Sequence, residues 1–329
     1  MRIGDIEIQP ALALAPMEGV TDLIFRRLIR QIGGCGLFVT EFIAAKNLNN
    51  DVPMALQAAL FDPEEHPVSV QIYGRVPDDM ADAARYVADL GADIVDLNMG
   101  CPSKTVCARS GGSALMRDLG LATDIVRKMR GAVTIPFTVK MRSGWDAQSK
   151  NAPEVAAMCQ DEGVDAVTVH WRTREDRYKG VRELDTIAAI VDQLDIPVMA
   201  NGDIVDVASA LDTLERTKAA GLMIGRGAIR DPWVFQRIRR AQDDSAPIEV
   251  TADEKERVLL GYYDAMRVTM RTDKAALGRM KKIARYFTVG LEDGAVLRQA
   301  IFHSQTIDEA YSRVRAYFAN LRAPQPIHG

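Results

Sequence analysis

Residues 197–228 read PVMANGDIVDVASALDTLERTKAAGLMIGRGA. An apolar run at 197–202 ends on Asn201-Gly202. The stretch 205–217 then places apolar residues at helical spacing, and a second apolar run follows at 221–228. Strand, helix and strand in that order form one unit of a parallel sheet, with a right-handed crossover. Both runs close on glycine beside a polar or charged residue, as Asn201-Gly202-Asp203 and as Gly225-Arg226-Gly227.

The same unit recurs along the chain. Apolar or β-branched runs lie at 11–17, 37–42, 67–74, 93–100, 136–142 and 166–172, with helix-period stretches such as 78–90 and 153–162 between them. With the two runs above there are eight, the number that closes a (β/α)₈ TIM barrel. Ser245-Ala246-Pro247 reads as a linker, and no strand pattern follows it. From 252 to 322 the pattern is helical, broken near Thr272-Asp273, Gly290 and Ser304. The expected organisation is a barrel over 1–243 and a small all-helical domain over 252–322, with a frayed end beyond Pro324.

Composition narrows the function classes. The chain has 329 residues, 47% apolar and 26% charged, as in ordinary globular proteins. It contains no apolar run of about 18 residues, so no membrane span is expected. The opening Met1-Arg2-Ile3-Gly4-Asp5 lacks the apolar core of a secretion signal, and a cytoplasmic monomer is expected. Cys35, Cys101, Cys107 and Cys159 form no CxxC pair, and no HExxH occurs. Neither a disulfide framework nor a metal site is expected. Net charge is −4, so any polyanion must be held by a local basic patch.

In a barrel of this kind the active site lies at the C-terminal ends of the strands. Reactive residues gather at those ends here: Pro16-Met17-Glu18, Gln71, Asn98 with Cys101, Lys140 with Arg142, His170, Asn201-Gly202-Asp203 and Gly225-Arg226. The ends of strands seven and eight are the usual phosphate seat, where glycines let backbone N–H groups approach an anion and Arg226 adds a fork. Gly-Arg-Gly alone is equally a tight turn. Lys140 suits the pyrimidine side of a flavin, a Schiff base, or a structural ion pair; the nearby Gln71 favours the flavin edge. Cys101 is mostly thiol at neutral pH, given a free-cysteine pKa of about 8.5, and can donate a proton. The other three cysteines read as packing residues. His170 could hold a cofactor or be purely structural.

Basic residues cluster between Arg267 and Arg285, where seven face a single acid, Asp273. Lys281, Lys282 and Arg285 share a helix face. They read either as a solvated helix face, as charge runs usually are, or as a footprint for a nucleic-acid phosphate backbone. Arg172, Arg174, Arg177, Lys179 and Arg182 add a second basic stretch after strand six.

Taken together, APMEGVTD (15–22), SVQIYG (69–74), DLNMGCPSKTV (96–106), GGSALMRD (111–118), VKMRSGW (139–145), VHWRTR (169–174), ANGD (200–203) and MIGRGA (223–228) resemble the tRNA-dihydrouridine synthases. The resemblance covers about 11–235 in register and continues more weakly through the tail. It implies FMN lined by Pro16, Met17 and Glu18, with Gln71 and Lys140 at its ring. It implies His170, Asn201, Gly202, Asp203, Gly225 and Arg226 toward ribityl and phosphate. Cys101 would be the general acid, Asn98 and Arg142 would position uracil, and the tail would bind tRNA. NADPH (or NADH) would reduce FMN, hydride would pass from N5 to uracil C6, and Cys101 would protonate C5 of a base flipped out of the D-loop. Trp171 stands where glycine is common, so an altered rim or an indole that stacks on RNA is expected there. Two other readings stand beside this one: an FMN barrel acting on free pyrimidines, like dihydroorotate dehydrogenase, and a non-catalytic RNA-binding barrel.

Overall fold

The computed structural model describes residues 1–108, 111–177 and 179–322. The end beyond Pro324, read above as frayed, lies outside them. Eight parallel strands form the barrel: β1 (Leu12–Leu14), β2 (Leu37–Val39), β3 (Val68–Tyr73), β4 (Ile94–Met99), β5 (Phe137–Arg142), β6 (Ala166–His170), β7 (Val198–Asn201) and β8 (Gly221–Ile224). Each pairs with its sequence neighbour. β8 returns to β1 through Ile224 beside Leu14, and β2 pairs with β3 through Phe38 beside Val68, so the ring is closed.

The strands read as near-continuous apolar runs because one face meets the outer helices and the other the barrel interior. Ile94, Ala166, Met199 and Met223 belong to a small apolar cluster with Ala13, Leu37 and Val39. Ile3 and Ile8 join that cluster, and a two-stranded antiparallel hairpin, Arg2–Ile3 with Ile6–Glu7, brings them in. The hairpin strands are too short for any periodic signal, and the sequence reading did not expect them.

Side chains alternate along a strand, so the interior of β4 runs Ile94, Asp96, Asn98 from bottom to top. Register makes polar rows of these positions: Gln71 beside Asp96 beside Thr138, then Asn98 beside Lys140 beside Thr168. Arg142 lies beside His170, and His170 beside Asn201. The barrel therefore changes from apolar to polar toward its C-terminal end.

Some boundaries differ from the sequence reading. β1 ends at Leu14 rather than 17, and β8 at Ile224 rather than 228, because a short helix begins at Arg226. A further two-residue strand, Ile43–Ala44, adds to β3.

Among the described residues beyond 250 lie four helices, Ala252–Thr269, Asp273–Phe287, Gly294–His303 and Ile307–Arg322. Thr251 and Thr272 cap the first two, accepting from the amides of Glu254 and Ala275. The helices pack on the barrel: Phe25 and Tyr262 meet edge to face at 5.9 Å, within the apolar cluster that also holds Phe235, Met280 and Phe318. No helix among the described residues is long and apolar enough to cross a membrane.

Candidate active site

A cavity of about 980 Å³ opens at the C-terminal ends of the strands. Pro16, Met17, Glu18, Asn98, Cys101, Lys140, Arg142, His170, Asn201, Gly202, Asp203, Gly225, Arg226, Lys282 and Arg285 all line it. Gln71 and Lys281 do not. Among the described residues, no three His, Cys, Asp or Glu side chains are grouped to hold a metal ion.

Cys101 stands just past β4 and is 9% exposed. Its backbone N–H donates to Asn98 Oδ1 at 2.9 Å, and the Gly100 N–H donates to the same oxygen at 3.0 Å. Burial raises the thiol pKa, a backbone hydrogen bond at Ser103 opposes the rise, Cys107 and Glu18 add to it, and Arg142 opposes it. The sulfur is therefore a protonated donor across the neutral range.

Lys140 donates from Nζ to Asn201 Oδ1 at 3.0 Å, and Asn201 Nδ2 donates to the Met223 carbonyl at 2.7 Å. Burial and then Arg142 lower the ammonium to about 8, while Asp96 resists the change. The site thus holds a cation at neutral pH that fades as pH rises past 8. His170 is driven well below its usual range, first by burial and then by Arg142, Lys140, Arg172 and Arg226. Its imidazole is neutral, and its buried Nε2 has no hydrogen-bond partner.

Gly202 has φ +116, and a Cβ there would lie 2.5–2.6 Å from ring atoms of Trp171 and His170. Only glycine fits, which leaves bare backbone at the cavity wall. Asp203 holds the forks of Arg172 (2.5 and 2.9 Å) and Arg226 (2.8 Å). It therefore orients the arginine beside Gly225.

Several expectations change on this geometry. Trp171 is buried against Gly202, with the Arg172 guanidinium 4.1 Å from its ring centroid, so it is not a rim residue available to stack on RNA. Arg142 donates to the carbonyls of Gly100 (2.8 Å), Thr173 (2.7 Å) and Arg177 (3.2 Å), clamping two loops at the cavity wall. Two of the five basic residues after β6 are paired with carboxylates, Arg172 with Asp203 and Arg182 with Asp212. Gln71 is fully buried and bridges Asp96 and Asn98, which leaves one amide hydrogen and one lone pair for other partners.

The basic helix of the tail is not remote from the barrel mouth, as its distance in sequence suggests. Lys282 Nζ donates to the carbonyls of Glu18 (3.1 Å) and Gly19 (2.9 Å). Arg279 pairs with Asp22, and Glu41 accepts from the Val20 N–H at 3.1 Å. Burial and the neighbouring Asp22 raise the Glu41 carboxyl. The tail thus holds the loop that carries Met17 and Glu18. Sequence reasoning missed Arg279 in this role, and it also missed Asp96, an acid inside an otherwise apolar strand.

A closed parallel barrel with its reactive groups at the strand ends is the architecture of a barrel enzyme. A solved structure of the old yellow enzyme homologue from Zymomonas mobilis shares this fold, with a TM-score of 0.55 and 14% identity over 77% of this chain and 94% of that one. The family model described as Dihydrouridine synthase (Dus) matches residues 13–322. The "Probable tRNA-dihydrouridine synthase" of Rickettsia bellii is 40% identical over 92% of each chain. The "tRNA-dihydrouridine synthase B" of Pseudomonas syringae pv. tomato is 44% identical over 82% of this chain and 80% of its own. That of Xanthomonas axonopodis pv. citri is 38% identical over 99% and 98%. The chain belongs to the dihydrouridine synthase family.

Proposed function

We propose that this enzyme uses FMN and NADPH to reduce uridine to 5,6-dihydrouridine in the D-loop of tRNA, with Cys101 as the acid that protonates C5. The observation that carries this reading is one cavity holding both a buried, protonated thiol and a cationic seat of glycine backbone and arginine. The residues present suit FMN. Gly202 and Gly225 offer bare backbone beside Arg226 for one phosphate, the partnerless His170 Nε2 lies in the same wall, and Lys140 brings a cation for a ring that gains negative charge. Gly202, Gly225, Arg226 and Lys140 would hold FMN, and the flavin bound there would supply the hydride chemistry of the reduction. Asn98 fixes the backbone of Cys101, Arg142 holds the loops on either side, and burial keeps the thiol loaded with its proton.

Two tests follow. Purified protein is expected to be yellow, to release FMN on heating, and to bleach with NADPH. Release of FAD, or protein that FMN cannot reconstitute, would refute the cofactor assignment, which rests on the one glycine-and-arginine seat proposed here and on the barrel architecture of the described residues, which is not the doubly wound sheet that binds dinucleotides.

The second concerns the tail. Replacing Lys281 and Arg285 by glutamine, with Lys282 left to hold its loop, should weaken tRNA binding. It should also flatten the log–log salt dependence by about 1.4–1.8, at about 0.7–0.9 per phosphate contact. Titrations at several salt concentrations measure this. Unchanged slopes would mean that this face is merely solvated and that RNA docks elsewhere.

A further inference from the structure

Asp96 is buried inside the barrel, one row beneath Asn98, and does not line the cavity. Its two oxygens each accept a hydrogen bond, Oδ1 from Thr138 Oγ1 and Oδ2 from Gln71 Nε2, both at 2.5 Å. Gln71 Oε1 then accepts from Asn98 Nδ2 at 2.7 Å. Asn98 Oδ1 accepts in turn from the N–H groups of Gly100 and Cys101. Asp96, Gln71 and Asn98 are all buried, the first two beneath the cavity and Asn98 at its wall.

Such a chain has a polarity. An amide can present either end to a neighbour, whereas a carboxylate only accepts. Burial raises Asp96 to about 6, and hydrogen bonds from Thr138 and Gln71 and then the charge of Lys140 oppose the rise. A donor on each oxygen is the pattern of an accepting carboxylate. We infer that Asp96 is a positioning residue for the Cys101 loop: by accepting only, it sets which way the amides of Gln71 and Asn98 face, and so presents Asn98 Oδ1 to the backbone of Gly100 and Cys101. Were Gln71 turned over, its oxygen would face the Asp96 carboxylate and its NH₂ would face the NH₂ of Asn98. Asn98 would then have to turn as well, and lose both backbone donors. The register that places Gln71, Asp96 and Thr138 side by side on three strands makes the arrangement possible. The proposal rests on the assignment of Cys101 as the proton donor for its catalytic consequence, but not for its structural one.

The test reverses the chain. Asn98→Asp alone sets an acceptor against Gln71 Oε1, which Asp96 holds in place. Faster amide hydrogen exchange at Gly100 and Cys101 is expected, with kcat for uridine reduction falling roughly tenfold or more. Asp96→Asn alone keeps an oxygen toward Gln71 and turns its NH₂ to Thr138, and should stay within about threefold of wild type. The double variant Asp96→Asn/Asn98→Asp allows every group to pair again, with the two bonds through the Gln71 amide reversed while Thr138 and the backbone N–H groups of Gly100 and Cys101 still donate. It should restore slow exchange and bring kcat to within a few-fold of wild type. Exchange is read on the cofactor-free chain, so it answers whether or not the activity assignment holds. If wild type fails to reduce uridine, the functional reading falls, and the exchange data still decide this one. Should Asn98→Asp prove insoluble while the double variant folds, that is the rescue itself. A double variant as impaired in exchange as Asn98→Asp, or worse, overturns the proposal, because a merely structural carboxylate predicts added damage and no reversal.

Discussion

Replacing Cys101 by alanine lowers the rate of uridine reduction by about 10²–10⁴-fold, the span that a positioned general acid contributes. The residue is placed for little else. Its backbone is tied to Asn98 Oδ1, its side chain lines the cavity, and its thiol is kept protonated mainly by burial. Flavin content should be retained, since the proposed phosphate seat follows β7 and β8 whereas this loop follows β4. Single-turnover reduction of tRNA by pre-reduced enzyme measures the effect. Wild-type rates in the alanine variant would make Cys101 a packing residue, as Cys35 and Cys159 are. Burial pushes the Cys35 thiol up to about 12, and Cys159 likewise stays neutral.

Glu65→Ala should destabilise the protein by about 3–5 kcal/mol, the cost of leaving a buried charge without its partner. Arg26 and Glu65 are each 1% exposed and joined by two hydrogen bonds, Nε–Oε1 at 2.7 Å and Nη2–Oε2 at 3.3 Å. Arg26 also donates to the carbonyls of Thr21 (2.9 Å) and Leu60 (2.6 Å). Thr21 Oγ1 in turn accepts the Met17 N–H at 2.8 Å, so the pair underlies the cavity loop as well as the core. Urea unfolding of Glu65→Ala and of the double variant Arg26→Met/Glu65→Leu separates the causes. The double variant removes both charges at similar volume and should lose clearly less than Glu65→Ala does. A loss below about 1 kcal/mol in the single variant would show that water reaches the guanidinium and that the pair is not truly buried.

The barrel was legible because strands buried on both faces must be apolar along their length, while their last residues must serve the cavity. That contrast is plain in VHWRTR or PVMANGD, where the run ends abruptly on polar groups. The four tail helices were legible from their breaks, since Thr272 and Ser304 mark real ends. What stayed hidden depends on contacts between distant segments. Asp96 reads as one acid in DIVDLN, and only strand register brings it against Gln71 and Thr138. Arg279 looked like part of a basic face, yet its charge is balanced by Asp22 from the first loop. Arg267 likewise pairs with Asp308 on the last helix. Counting local charge overstated the free basic surface for this reason. Trp171 misled in the same way: its size suggested a rim, but the bare backbone of Gly202 makes room for it inside.

The most direct test is to incubate purified enzyme and NADPH with tRNA that lacks dihydrouridine, then map the modified positions beside a parallel reaction on free uracil. The account predicts dihydrouridine at D-loop uridines of the tRNA, abolished or slowed at least 10²-fold by Cys101→Ala, with free uracil left unreduced. Reduction of free uracil at a comparable rate, or NADPH consumption with no uridine lost from the tRNA, would contradict it.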